Sequence, residues 1–363
     1  MKKPLNVVLV GTVLALFPAA FTGCRSIGPA TVARDRFDYS DAITESWKRQ
    51  TLLNIVKLRY LDPPIFVDVG QIVAGYSIET SVNAGGTLSS EAAVQGNYFT
   101  AGGAAKFTDR PTITYTPLTG NKFVKGLMTP IPPDALFFTI QSGWPADAML
   151  MAALGSVNGL RNSESTAGGV SPPDEDFLKA VQLLRRIQLS GGVGLRVLQD
   201  TNKTQSSIIT FRSKGITPET LNDITELRQL LHLDPDALEL KLVFGNTPSD
   251  DRELAVITRS MLHIMQTMAS QVDVPPEHVK QGRTNPGWKM DAPEAERTRL
   301  LRVHSSRARP EDVYVAVHYR GYWFWIDDFD LKSKRAFSFT MMLFTLAESG
   351  ERESLPLITI PAQ

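Results

Sequence analysis

The chain carries a single cysteine, Cys24, so no disulfide can form within it. Nor does it carry an excess of charge, since 38 Lys and Arg stand against 38 Asp and Glu. That balance lacks the basic excess usual in nucleic-acid binding, and no nucleic-acid partner is expected. Beyond its first two dozen residues it has no apolar run near the ~20 residues of a membrane-spanning helix. The body is therefore expected to be soluble apart from any lipid. Its five histidines, His232, His263, His278, His304 and His318, form no H-E-x-x-H and no zinc spacing. No G-x-S-x-G elbow and no phosphate-cradling glycine loop stands between a strand and a helix. A repeat of fixed period is also missing. The expected catalytic, metal and cofactor residues are accordingly none. A Ser-His-Asp set stays open, because its members meet only in space.

What is present begins at the N-terminus. Lys2 and Lys3 precede an uncharged stretch from Leu5 to Gly23, and Thr22 and Gly23 are small residues directly before Cys24. This segment resembles the leader of Gram-negative bacterial lipoproteins, which signal peptidase II cuts just before a diacylglyceryl-modified cysteine. Phe21 stands where such leaders usually have leucine. The resemblance implies a signal peptide over 1–23, lipidation (palmitate among the acyl chains) at Cys24 and a mature chain starting there. It also implies a place in the cell envelope, at the membrane facing the periplasm or at the cell surface. Arg25 follows the cysteine instead of aspartate, which in the sorting rule of such proteins favours the outer membrane. Other readings are an uncleaved anchor interrupted by Pro18, an ordinary leader cut near Ala19 or Ala20, and a buried structural cysteine.

The remaining ~340 residues suffice for a real core or for two to three modules. A tether is expected over 24–37, then a helix over 39–60 striped by Ile43, Trp47, Ile55 and Leu58, and ended by Asp62-Pro63-Pro64. Its Lys48, Arg49, Lys57 and Arg59 form either a solvated face or a surface for anionic lipid heads. Residues 65–116 are rich in Gly, Ser, Thr and Ala. Tyr76–Val82 and Pro111–Thr116 alternate with period two as strands, and Gly85-Gly86 and Gly102-Gly103 read as turns or loops. The low charge of this stretch points to a protruding hairpin or a mobile insertion. Helical pieces follow to residue 162, broken at Pro130–Pro133 and Gly143–Pro145, with Met149, Leu150, Met151, Leu154 and Val157 as core filler.

A central module is expected over 174–274. It has a helix striped by Phe177, Val181 and Leu184, a hairpin of 193–197 with 206–211, and a helix capped by Thr217 with Pro218 at its first position. Leu238, Leu240, Leu242 and Phe244 then alternate as a strand. Asp250 and Glu253 start a long helix striped by Leu254, Ile257, Met261, Ile264 and Met268. Residues 275–297 form a loop or linker. The C-terminal unit, 298–363, reads strand, strand, helix, strand, with the last strand at 355–360. The expected class is α+β, with helices on mixed and antiparallel sheets and the Gly/Ser/Thr-rich β segment in the N-terminal half (38–162).

Two features of the C-terminal unit are candidate sites. Tyr322, Trp323 and Trp325 form a candidate ligand platform for sugar rings, with Trp323 and Trp325 on one face and Tyr322 and Phe324 on the other. The alternative for the same residues is core packing. Asp327-Asp328-Phe329-Asp330 has the oxygen chemistry calcium favours, but lacks the glycine and later glutamate of an EF-hand loop; the plainer reading is a turn that caps the next helix. The expected function is a non-enzymatic, lipid-anchored scaffold or assembly component of the outer membrane, held by its N-terminal lipid and bound to an envelope protein partner. The alternatives are a carbohydrate- or peptidoglycan-binding protein using the aromatic hairpin, and a cryptic periplasmic hydrolase.

Overall fold

The computed structural model describes residues 28–87, 98–166, 169–199, 205–212, 215–286 and 298–347. The leader, Cys24 and the strand expected at 355–360 lie outside them. The fold is α+β. The chain divides into two compact units, one holding residues up to Thr44 with Val67–Thr116, the other Glu45–Phe66 with Pro117 onward. The boundaries read from the sequence near 162–174 and 274–298 fall inside the second unit.

Helix α1 (Gly28–Arg59) contributes to both units. It starts within the expected tether: Pro29 sits in the first turn, where a missing N–H costs nothing, and nothing up to Arg59 breaks the ladder. Its second half buries Leu52, Ile55 and Val56, and the expected basic face does not hold together. Arg59 is buried and donates to the carbonyls of Val272 and Asn285, and the Lys48 ammonium sits 4.6 Å from the Tyr314 ring.

The first unit is otherwise β. Strands β1 (Phe66–Val73), β2 (Tyr76–Thr87), β3 (Tyr98–Asp109) and β4 (Thr112–Leu118) pair as β1–β4 and β2–β3.

In the second unit, helices α2 (Asn121–Met128), α3 (Pro133–Gln141) and α4 (Ala146–Ala153) follow the proline breaks. Strands β5 (Leu154–Val157) and β6 (Leu160–Arg161) come next, so Leu154 and Val157 are strand, not helix. The short ladder β7 (Glu164–Thr166) with β8 (Gly169–Ser171) leads to α5 (Glu175–Leu189), β9 (Val193–Gln199), β10 (Gln205–Phe211) and α6 (Pro218–Leu230). Thr217 caps α6, accepting from the Thr220 N–H. Strands β11 (Glu239–Phe244) and β12 (Glu253–Thr258) complete a six-stranded mixed sheet, ordered β6-β5-β12-β11-β10-β9.

Strand β12 corrects the expected long helix from Asp250. Leu254, Ala255, Val256 and Ile257 form a short continuous apolar run, the mark of a central strand buried on both faces. The helix α7 (Met261–Ser270) starts only after Ser260, whose hydroxyl accepts from the His263 N–H. The linker expected at 275–297 contains a short helix, α8 (Pro276–Lys280), and its residues 287–297 lie outside the described ones. Strands β13 (His304–Ser306), β14 (Val313–Tyr319) and β15 (Tyr322–Asp327) form an antiparallel sheet ordered β13-β15-β14, followed by α9 (Leu331–Ala347).

One apolar core runs through this unit, joining Leu52, Leu150, Leu183, Leu240, Ile264, Phe324 and Phe337. A guanidinium lies inside it. Arg259 is 2% exposed and donates to the carbonyls of Met151 and Ala152 at 3.2 Å each, and to that of Ser163. Met151 and Ala152 belong to the last turn of α4, whose carbonyls have no partner within the helix. The cation thus caps a buried helix end. Burial pushes its pKa down to about 10.

Candidate functional site: an amphipathic β-ribbon

The β2–β3 ladder is built of twelve consecutive antiparallel pairs, from Tyr76↔Asp109 to Thr87↔Tyr98. The Arg110 N–H bonds the Gly75 carbonyl at 2.9 Å, and the β1–β4 pair continues beyond, so the two ladders form one long, jointed hairpin. The joint is compositional. A Cβ on Gly75 would come within 3.2 Å of the Arg110 carbonyl, and Pro111 has no N–H to donate. At the base of the ribbon the Tyr76 hydroxyl donates to Asp35 of α1 at 2.5 Å, and the Tyr76 and Phe107 rings stack.

Side-chain direction alternates along each strand, so the register defines two faces. Tyr76, Ile78, Thr80, Val82 and Ala84 share one face with Phe107, Ala105, Gly103 and Ala101. Ser77, Glu79, Ser81 and Asn83 share the other with Thr108, Lys106, Ala104 and Gly102. The first face is apolar but for Thr80 and, at the base, Asp109. The second is polar, and there Glu79 and Lys106 lie opposite each other at 3.8 Å. The apolar face is uncovered: Ile78 is 51%, Val82 78% and Phe107 55% exposed. Among the described residues this ladder has two strands and no third, so both outer edges present backbone N–H and C=O groups.

Two sequence expectations change here. The pairs Gly85-Gly86 and Gly102-Gly103 are not turns; they lie within β2 and β3, where Gly85 faces Thr100 and Gly102 faces Asn83. Glycine permits a turn without requiring one, and cross-strand bonding on both sides keeps it extended. Strand β3 was not legible as a strand for the same reason, because Ala and Gly at its centre blunt the alternation.

The aromatic hairpin lies in the second unit. Phe324 and Ile326 are fully buried, while Trp323 and Trp325 point to the opposite face and are half-buried. That face is occupied by the protein's own groups. The His304 ring stacks on Trp325 at 4.5 Å, and His318 and the Arg309 guanidinium lie 5.4 Å from Trp323. Tyr322 donates to Glu277 of α8, whose carboxylate also takes both hydrogen bonds of the Arg307 Nη2 group. Beside it, the Tyr60 hydroxyl bonds His278 Nδ1 at 2.7 Å within a cluster of edge-to-face rings that includes Tyr319 and Phe324. Burial pushes Tyr60 up to about 12 and holds His278 below its ordinary value. Sequence reading missed this fastener of α1, α8 and the hairpin, since no spacing links residues 60, 278 and 322.

The acidic turn behaves as a cap. Asp330 accepts from the Ser333 N–H at 3.0 Å and from Arg299 at 2.6 Å, Asp327 accepts from the Phe329 N–H, and Asp328 pairs with Lys334. Among the described residues no three His, Cys, Asp or Glu side chains gather in a way that would hold a metal ion. The histidines are scattered: His263 and His304 are desolvated and held below the ordinary value, and His304 lies 3.7 Å from Asp273. A cleft of about 430 Å³ opens between α4, α5 and α9, lined by Met151, Leu178, Val181 and Ala336 with Asp147 and Arg335 at its polar side. No helix among the described residues is long and apolar enough to cross a membrane. Compared with protein-family models, curated proteins and solved structures, the chain finds no match.

Proposed function

We propose that this chain is a lipid-anchored component of a Gram-negative cell envelope, held at the outer membrane through Cys24, and that it works as an assembly element through its β-ribbon. The observation that carries the reading is the ribbon itself: twelve residue pairs with an exposed apolar face and two open edges. A two-stranded ladder is marginal in water and gains stability from further strands or a covering surface. A ribbon of this length is therefore a contact surface in search of a partner. The leader and the position of Cys24 support the address, and only three residues separate Cys24 from the start of α1 in sequence.

Two measurements test this. Radiolabelled palmitate enters the full-length protein and is lost in Cys24→Ser; label that fails to enter overturns the anchor. Gentle detergent extraction followed by light scattering yields an assembly larger than one chain. A monodisperse monomer overturns the assembly role.

A further inference from the structure

We propose that the β2–β3 ribbon crosses a lipid bilayer, contributing two strands to a closed β-barrel built from several copies of this chain. The inference deepens the envelope reading above and rests on it. Four observations converge. First, one face of the ribbon is apolar but for Thr80 and the basal Asp109, while the other carries Ser77, Glu79, Ser81, Asn83, Lys106 and Thr108, the pattern of strands with one side to lipid and one to an aqueous lumen. Second, its charges avoid the apolar face. Glu79 and Lys106 sit opposite each other on the polar face, and Asp109, on the apolar face, stands at the base, where a membrane surface would lie.

Third, the length fits. Each strand has twelve residues. At ~3.4 Å per step that is about 37 Å, which at a barrel tilt of about 40° rises about 28 Å, close to the thickness of a bilayer's hydrocarbon core. Aromatic residues stand on the apolar face at the base, Tyr76 and Phe107, the placement of an interfacial girdle. Fourth, the anchor reaches the right level. Three residues separate Cys24 from Gly28, and seven further steps lead along the helix to Asp35, which Tyr76 touches. With extended and helical rises added, a chain of this length reaches at most about 25 Å from Asp35 to the lipid-bearing residue.

The edges decide the partner. Hydrocarbon offers nothing to an unpaired N–H or C=O, so strands cross a bilayer only in closed barrels. One ribbon has two open edges and cannot close on itself. A second copy offers the same edges in the same orientation relative to its own anchor, so repeated copies close a ring. The smallest such barrels have about eight strands, which sets a minimum of about four copies.

The test uses full-length protein purified from membranes and added to vesicles of phosphatidylethanolamine and phosphatidylglycerol loaded with a self-quenching dye. The native protein releases dye and runs as a ring of four or more copies after cross-linking. Val82→Arg, on the apolar face at mid-ribbon, reduces release at least about tenfold, because charge facing lipid is disfavoured most at mid-depth. Asn83→Arg, one residue away on the polar face, keeps release within about twofold. Equal effects at 82 and 83, or no release by the native protein, overturn the proposal. The thermal transition of the second unit, recorded for both variants, shows whether a loss comes from misfolding; if Val82→Arg shifts it, the milder Val82→Ser takes its place and must still exceed Asn83→Ser in effect. Palmitate labelling is read on the same preparations. Label without release removes the barrel and leaves the anchor standing, whereas release without label removes the anchor alone.

Discussion

The two units hold themselves together by opposite means. In the second, Phe324, Phe337, Leu150 and Leu240 are fully buried and polar groups are caught inside with them. In the first, the ribbon buries almost nothing; backbone pairing and the Glu79–Lys106 and Tyr76–Asp35 contacts shape it. Burial stabilises a fold wherever it sits, whereas an uncovered ladder depends on what joins it. Substitutions should therefore be read as stability in the second unit and as association in the ribbon.

The largest expected effect breaks the second unit alone. Phe324→Ala removes a fully buried ring from the hairpin that packs on Tyr60, at a cost of about 4 kcal/mol. Its thermal transition in calorimetry should fall steeply or vanish. Next comes Arg259→Met, which keeps most of the volume but strips the cap from the carbonyls of Met151, Ala152 and Ser163, for a loss of about 2–3 kcal/mol. If Arg259→Met proves as stable as the parent in denaturant, the buried cation contributes no net stability, as can happen when desolvation offsets pairing.

The same contrast explains what the sequence disclosed. Stripes such as Phe177–Val181–Leu184 and the Thr217-Pro218 start mark helices because their period and caps are local. The strand at Glu253–Thr258 escaped because its residues 254 and 257 continue the helical spacing of Met261, Ile264 and Met268 in the true helix behind it. Only its position between β5 and β11, set by distant partners, makes it a strand. The half of the ribbon at Tyr76–Val82 was legible from alternation; the half at Tyr98–Asp109 was not, since Gly102, Gly103, Ala104 and Ala105 carry too little side chain to show a period. A search for long apolar runs likewise passes over a strand that is apolar at every second residue only. The Trp323 and Trp325 face was placed correctly by alternation, but its covering by His304 and Arg309 comes from chain segments no local pattern connects.

A third, smaller effect sharpens the comparison through pH. His263, His278 and His304, all in the second unit, have folded-state pKa values held down chiefly by burial. Their unfolded value is about 6.5. Between the folded and unfolded values the unfolded chain binds more protons, so stability is fully present above about pH 6.5 and declines as pH falls toward the lowered values. The midpoint of unfolding should drop on acidification below pH 6.5. His278→Gln, which can keep a hydrogen bond to Tyr60, should flatten that dependence; an unchanged slope would shift the assignment to His263 and His304.

The smallest expected effect on stability carries the most weight for the comparison. Val82→Ser changes one exposed side chain, and exposed substitutions away from special features usually stay within ~0.5 kcal/mol. Calorimetry of the second unit should therefore superimpose on the parent. Association is a different quantity, because in the proposed ring every copy would repeat the change and the loss would be multiplied by the number of copies. Sedimentation in detergent should show smaller species for Val82→Ser while the melting curve does not move. A melting curve that shifts together with the sedimentation would mean that the ribbon is part of the same cooperative fold, and the division into a self-sufficient body and a dependent ribbon would fail.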